Sequence, residues 1–155
     1  MSLLYYMYMT QLASNKKAYF DYEILETYEA GIELKGYEVK SIKTGHINLA
    51  GSYVVIKDNQ AWLLNADVPP YQPANMPSDY DSKRSRRLLL KREEIAELVG
   101  KVHEKGLTII PLKVYNKHSR VKIEIGLGKG KKKADKREAI KKRETQREID
   151  RTLKN

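Results

Sequence analysis

The chain contains no cysteine, so disulfide bonds and thiolate metal sites are excluded. Its three histidines, His46, His103 and His118, are scattered and do not have the short ligand spacings of a zinc site. No apolar run approaches the roughly 18 residues of a membrane span. We therefore expect no metal, no cofactor and no membrane, and the lack of disulfides is compatible with a reducing cytoplasm.

Acidic residues are fewer than basic ones, and most of this imbalance lies at one end of the chain. The protein has a net charge of +10 over 155 residues. From Gly128 onward there are 12 lysines and arginines against 5 acidic residues, which places +7 of that charge in the tail. A tail of this kind is suited to a polyanion, and RNA is the expected partner. Gly126, Gly128 and Gly130 alternate at its start, and we expect them to act as a hinge.

The two ends of the chain are expected to lack a fold of their own. Residues 1–9 are largely apolar but have no positively charged start, so residues 1–13 are interpreted as a flexible leader rather than a signal peptide. Residues 128–155 are interpreted as a basic tail. The larger apolar residues between 134 and 155 are few, so we expect the tail to be disordered when free and helical on a partner.

Residues 14–127 have the size of one domain, and the first half is rich in strand formers. Residues 19–34 predict two short strands bent at Gly31. Residues 36–45 predict a short helix that ends at Gly45. Residues 53–64 predict a β-hairpin that turns at Asp58, Asn59 and Gln60.

The second half of the domain begins with a loop over residues 68–82, which holds four of the five prolines. Residues 91–105 predict an amphipathic helix that ends at Gly106. Residues 107–115 and 121–127 predict two strands, and Pro111 indicates an edge or a bulge in the first of them. Short antiparallel strands with two or three short helices predict a mainly β fold, an oligonucleotide-binding-like barrel.

Several segments resemble one known family. The most specific are E-A-G-I-E-L-K-G-Y-E-V-K-S at residues 29–41 and G-K-G-K-K-K-A-D-K-R at residues 128–137. N-K-K-A-Y at residues 15–19 and R-R-L-L-L at residues 86–90 also match, in the family's order. The chain thus resembles SmpB, the family of tmRNA (SsrA RNA)-binding proteins of bacterial ribosome rescue.

The resemblance implies a barrel that binds the tRNA-like domain of tmRNA and acts in trans-translation. It implies entry into stalled ribosomes together with elongation factor Tu, which is bound to the tmRNA complex. It also implies that the tail lies in the decoding centre and the empty mRNA channel of the small subunit. An adaptor of this kind is not an enzyme.

By position, the resemblance assigns Asn15, Lys16, Glu29 and Lys122 to the tmRNA-binding surface. Lysines neutralise phosphates, and an asparagine suits a base edge or a 2′-hydroxyl. Glu29 is unusual there because a carboxylate repels phosphate. It could orient nearby lysines or accept from base amino groups, and an ion pair at the barrel rim is an equal alternative.

Other basic residues of the domain are further candidates for RNA contact: Lys40, Lys43, Arg86, Arg87 and Lys117. For Lys40 and Lys43 plain surface charge is the alternative, and Arg86 and Arg87 could instead cover the first turn of the following helix. The tail candidates for ribosome contact are Lys131, Lys132, Asp135, Lys136, Arg137, Ile149 and Leu153. Ala134 and Thr145 depart from the histidine or aromatic residue and the tryptophan that relatives often carry, so this tail is expected to depend more on charge than on stacking.

Two other functions compete with this interpretation. One is a general single-strand RNA-binding or ribosome-associated barrel without tmRNA specificity. The other is a nuclease that uses one of the three histidines with a carboxylate, which their scattered positions disfavour. Competition between tmRNA and bulk tRNA distinguishes the first of these from the leading interpretation.

Overall fold

The computed structural model describes residues 9–154, so residues 1–8 of the predicted leader lie outside the described part of the chain. Over the described residues the chain forms seven strands and four α-helices. The strands are β1 (Met9–Ser14), β2 (Tyr22–Ile32), β3 (Tyr53–Lys57), β4 (Gln60–Leu64), β5 (Arg86–Leu89), β6 (Thr108–Lys117) and β7 (Arg120–Gly130). The helices are α1 (Lys16–Asp21), α2 (Gly36–Lys43), α3 (Arg92–Lys105) and α4 (Lys133–Lys154).

Six of the strands close into an antiparallel barrel. The order around the ring is β7-β6-β3-β4-β5-β2, and β2 pairs again with β7. The seventh strand, β1, pairs with β6 beyond the point where β3 leaves it. The predicted mainly β barrel with short helices is confirmed. Residues 9–13 belong to a paired strand, so the prediction of a flexible leader was wrong for them.

The barrel interior is filled by alternate residues of the strands. In β7, Val121, Ile123, Ile125 and Leu127 are buried, as their alternation predicts. Helix α3 contributes Leu98 to the same core. The helix ends at Gly106, whose positive φ of 61° gives the left-handed cap that glycine adopts without strain.

One tight turn and one β-bulge set the register of two strand pairs of the barrel. The predicted hairpin is confirmed, with Asp58 and Asn59, at φ values of 53° and 58°, as a two-residue turn between β3 and β4. Gln60, which was expected in the turn, is the first residue of β4 and pairs with Lys57. Of the two alternatives predicted from Pro111, an edge or a bulge, the structure contains the bulge, because the β6–β7 register shifts between Pro111 and Lys113. A proline removes one ladder hydrogen bond, and the bulge accommodates that loss.

The region around α1 and β2 differs from the prediction. Residues 19–21 end helix α1, and β2 continues through Gly31 as one strand of 11 residues. The strand is not divided at Gly31; the backbone of Gly31 lies against Leu89, and a Cβ there would be 3.3 Å from the Cβ of Leu89. Strand β5, which carries Leu89, was not predicted.

The alternating glycines do not form a hinge, because Gly126, Gly128 and Gly130 all lie inside β7 and pair with β2. Ala18 of α1, with Ile110 and Leu112 of β6, forms a second apolar cluster on which Tyr22 and Ile24 pack. A Cβ on Gly126 would be 2.8 Å from Leu112 Cδ1. Because Gly126 and Gly128 have no side chains, side chains of this cluster can pack directly against the backbone of β7. The folded domain extends to residue 130, three residues beyond the predicted boundary.

Candidate nucleic-acid interface

An open cleft of about 280 Å³ lies between β2, α2 and the β6–β7 turn. Leu34, Val39 and Leu89 supply apolar walls, and Arg120 and Lys122 are its basic residues. Leu89 is 49% exposed, which leaves an apolar surface open to a partner. An apolar surface bordered by cations can bind a base or ribose while the phosphates contact the cations.

Glu29 lies beside this cleft on β2 and is held in an ion pair. Lys117 Nζ is 3.2 Å from one carboxylate oxygen and 3.3 Å from the other, and the Tyr115 hydroxyl donates to the same carboxylate. Burial raises the pKa of Glu29, but the hydrogen bonds from Tyr115 and Lys117 and the nearby lysine charges outweigh it and leave the pKa below its ordinary value. The ion-pair alternative is therefore what the structure contains.

Lys122 is placed next to this ion pair by strand register. It lies opposite Gly31 on β2 and opposite Tyr115 on β6. Its charge also lowers the pKa of Glu29. We interpret Glu29, Tyr115, Lys117 and Lys122 as one electrostatic group in which a single carboxylate faces two lysines.

The remaining predicted lysines are exposed, and one of them reaches the same end of the barrel. Lys43 Nζ donates to the carbonyl oxygen of Ser119 at 3.0 Å, which brings α2 against the β6–β7 turn. Lys40 is exposed on the same helix. Lys16 begins α1, next to the point where Asn15 N–H donates to the carbonyl of Leu112 on β6.

Asn15 is a structural residue in this fold. Its side chain is buried, and its Nδ2 donates to the carbonyl of Pro111 at 2.9 Å. Its Oδ1 accepts from Ala18 N–H at 3.2 Å and so caps α1. The amide therefore has no free edge for a nucleotide, and the expected contact with a base edge is contradicted for this side chain. It instead fixes the start of α1 and the position of Lys16.

Arg86 is also a core residue, and its prediction as an RNA contact was wrong because it is 0% exposed. Its Nε donates to Glu38 Oε2 at 2.7 Å, and its Nη1 donates to the carbonyl of Ala66 at 2.9 Å. Arg84 forms a second ion pair with Glu38. Arg87, the next residue, points outward and lies 3.7 Å from Glu33, so it stays a candidate for RNA contact.

Glu38 ties these arginines to helix α2. Its Oε1 accepts from Lys35 N–H at 2.9 Å at the start of the helix. Burial raises the pKa of this carboxyl, but hydrogen bonds from Arg84, Arg86 and a backbone N–H lower it more, so the pKa lies below its ordinary value. The buried charges are fully paired, as burial requires.

The basic tail continues directly from β7 into α4. Lys131 N–H donates to the carbonyl of Asp21 at 2.9 Å, and Lys136 Nζ is 3.3 Å from the Asp21 carboxylate. Lys132, Asp135 and Arg137 are exposed near the start of the helix, where the negative charge of Asp135 is favoured by the helix dipole. Ile149 and Leu153 are 47% and 80% exposed and, four residues apart, share one face.

Known proteins resemble this chain along most of its length. A family model described as "SmpB protein" matches residues 12–155. The SsrA-binding protein of Sulfurihydrogenibium sp. (strain YO3AOP1) is 53% identical over 143 residues, 92% of this chain and 93% of that protein.

The chain belongs to the SmpB family.

Other relatives agree in sequence and in structure with this assignment. The SsrA-binding protein of Gloeothece citriformis (strain PCC 7424) is 51% identical over 143 residues, which are 92% of each chain. A solved chain described as "tmRNA-SmpB: a journey to the center of the bacterial ribosome" superposes with a TM-score of 0.65 at 43% identity. The superposed region covers 83% of this chain and 93% of the solved chain. Barrel and tail are therefore both parts of the SmpB pattern.

Two residues that line the cleft of this SmpB-family protein, Leu89 and Arg120, were not predicted from the sequence. Leu89 alternates with Leu88, so its outward direction follows once β5 is recognised as a strand. Arg120 follows the turn at His118 and Ser119, and its place beside the cleft depends on long-range pairing that local sequence does not reveal. In residues 9–154 no helix is long and apolar enough to cross a membrane, and no group of three or more potential ligand side chains could hold a metal ion.

Proposed function

We propose that this protein binds the tRNA-like domain of tmRNA and acts with it in trans-translation, rescuing stalled bacterial ribosomes. Membership of the SmpB family supports the proposal, as do relatives named SsrA-binding proteins and the likeness to a tmRNA-SmpB ribosome structure. The observation on this chain that carries it is the cleft beside Glu29, which combines an exposed leucine with basic residues.

The proposed RNA surface consists of the cleft and the lysines around it. Lys122, Lys117 and Arg120 would neutralise backbone phosphates, which gives affinity that falls with salt. Leu89 and Val39 would contact a base or ribose in the wide, shallow groove of a folded RNA. Glu29 would hold Lys117 in position rather than meet the RNA directly. Lys16, Lys40, Lys43 and Arg87 extend the basic surface.

The tail is proposed to act on the ribosome. Its basic residues would bind in the decoding centre and along the empty mRNA channel of the small subunit. Ile149 and Leu153 would pack on a ribosomal surface. Elongation factor Tu would arrive as part of the tmRNA complex, and the protein would work in the cytoplasm as an adaptor with no catalytic step. Because Ala134 and Thr145 offer no aromatic ring, this engagement would be sensitive to salt.

A truncation tests the division of labour between barrel and tail. The cut belongs after Lys132, because β7 runs to Gly130 and Lys131 is bonded to the end of α1. The shortened protein is expected to bind tmRNA with unchanged affinity and to lose tagging of stalled nascent chains. Tagging at the full rate, or loss of tmRNA binding in a protein that still melts like the full chain, would refute the proposal.

A competition experiment separates this function from general RNA binding. Labelled tmRNA is titrated with the protein at physiological salt in the presence of an excess of bulk tRNA. Retention of tmRNA binding supports the proposal, whereas equal affinities for the two RNAs would support a barrel without tmRNA specificity. Lys105→Ala, which removes an exposed lysine at the end of α3, is the control for loss of charge alone.

A further inference from the structure

The turn between β6 and β7 has a backbone conformation that its residues do not favour. His118 and Ser119 form a two-residue loop, because Lys117 and Arg120 on either side of it pair with each other. Both loop residues have positive φ values, 49° and 65°. Two-residue turns of this kind prefer asparagine, aspartate or glycine, and a serine with positive φ is strained because its Cβ crowds the backbone. The turn therefore benefits from any contact that holds it in shape.

Lys43 supplies such a contact from outside the hairpin. It is the last residue of α2, and its Nζ donates to the carbonyl oxygen of Ser119 at 3.0 Å. Helix α2 is itself held in place. Its buried Glu38 pairs with two arginines, and Ser41 Oγ donates to the carbonyl of Pro69 at 2.7 Å. A fixed helix thus places an ammonium group at the strained turn.

The turn borders the cleft that is proposed to bind RNA. Ser119, Arg120 and Lys122 all line this cleft. The carbonyl that Lys43 holds belongs to the peptide joining Ser119 to Arg120, so the orientation of this peptide sets where β7 begins. Lys122 lies two residues further along the same face of the strand. A turn that changed shape would move both cations, and ordering them again on binding would cost free energy.

We propose that Lys43 is a positioning residue of the RNA cleft: it holds the β6–β7 turn through the Ser119 carbonyl and so preorganises Arg120 and Lys122 for phosphate contact. The effect on RNA binding rests on the proposed function of the cleft. The support of the turn does not, because it is a property of the protein alone. Although Lys43 lies on the basic surface, it acts through the turn, whereas a lysine that contacts phosphate acts through counterion release.

NMR of the RNA-free protein tests the support of the turn. The fraction of protein with the turn formed, measured from the backbone chemical shifts of residues 118–120, should fall about two- to five-fold in Lys43→Ala. Adding Ser119→Gly should restore the fraction, because glycine adopts positive φ without strain. Lys40→Ala removes the same charge from the same helix and should leave the fraction unchanged. Equal fractions in wild type and Lys43→Ala overturn the proposal.

Titrations with tmRNA test the effect on binding. Lys43→Ala should weaken binding by the same factor of about two to five, because apparent affinity falls with the fraction of competent protein. The slope of log affinity against log salt should stay unchanged, and Ser119→Gly should restore the affinity.

Two results would show that Lys43 contacts phosphate directly and would overturn the proposal. One is a slope lower by about 1 in Lys43→Ala, and the other is a loss of affinity that Ser119→Gly does not restore. Failure of the wild type to bind tmRNA would instead refute the proposed function, and the NMR measurement would still decide whether Lys43 holds the turn.

Discussion

Replacing Gly126 by alanine is expected to destabilise the barrel, because the new Cβ has no space. It would lie 2.8 Å from Leu112 Cδ1 and 3.1 Å from Ile24 Cγ2. Leu112 is 0% exposed and cannot move into solvent. Overpacking of this kind costs about 1–3 kcal/mol. For a chain of this size each kcal/mol lowers Tm by about 2–4 °C, so the loss in Tm is about 2–12 °C.

The neighbouring glycines provide a matched series. A Cβ on Gly128 would be 3.1 Å from Ile110 Cδ1, so Gly128→Ala should destabilise less than Gly126→Ala. A Cβ on Gly130 meets no heavy atom within 4 Å, which makes Gly130→Ala the control with unchanged Tm. Thermal melting followed by circular dichroism measures all three. If Gly126→Ala and Gly130→Ala melt at the same temperature, close packing is not the reason for these glycines.

Three further predictions concern the buried charges and the RNA surface. Arg86→Met should lower the free energy of unfolding by about 3–5 kcal/mol in urea titrations, since it removes the fully buried one of the two arginines that pair with Glu38. The low pKa of Glu38 stabilises the fold above the ordinary pKa of 4.5, and this contribution is lost as pH falls through the lower, folded-state value. The difference in free energy of unfolding between wild type and Glu38→Gln should therefore shrink as pH falls below about 4.5. A difference that stays constant with pH would contradict this prediction. Lys122→Ala should reduce the slope of log affinity for tmRNA against log salt by about 1, and Lys105→Ala should not.

Much of the fold could be predicted because its signals are local. The alternation in β7, the turn at Asp58 and Asn59 and the apolar stripe of α3 each depend on neighbouring residues alone. Pro111 indicated a bulge for the same reason, since the missing N–H has to be accommodated within its own strand. The tail could be identified from charge, and its binding to the ribosome stays a prediction.

The rest depended on contacts between distant segments. The sequence predicts a surface position for Arg86 because arginine is rarely buried. Its partner Glu38 is 48 residues away, so the pairing cannot be seen locally. The one local signal was alternation: Arg86 and Leu88 share a face of β5, and that face points inward. Asn15 was likewise assigned to RNA by resemblance, whereas its buried amide bonds the carbonyl of Pro111, 96 residues away.

The short passage from β7 to α4 has a consequence for reach. Only Lys131 and Lys132 separate the last strand from a helix of 22 residues, so the base of that helix is anchored to the barrel. As a continuous helix it is a rod about 33 Å long, because each residue adds about 1.5 Å. In the proposed function, the free end of this rod would reach a set distance from the RNA-bound barrel and would fit only where the space at that distance is empty. Inserting one residue would shift the tip by about 1.5 Å and rotate Leu153 by about 100°.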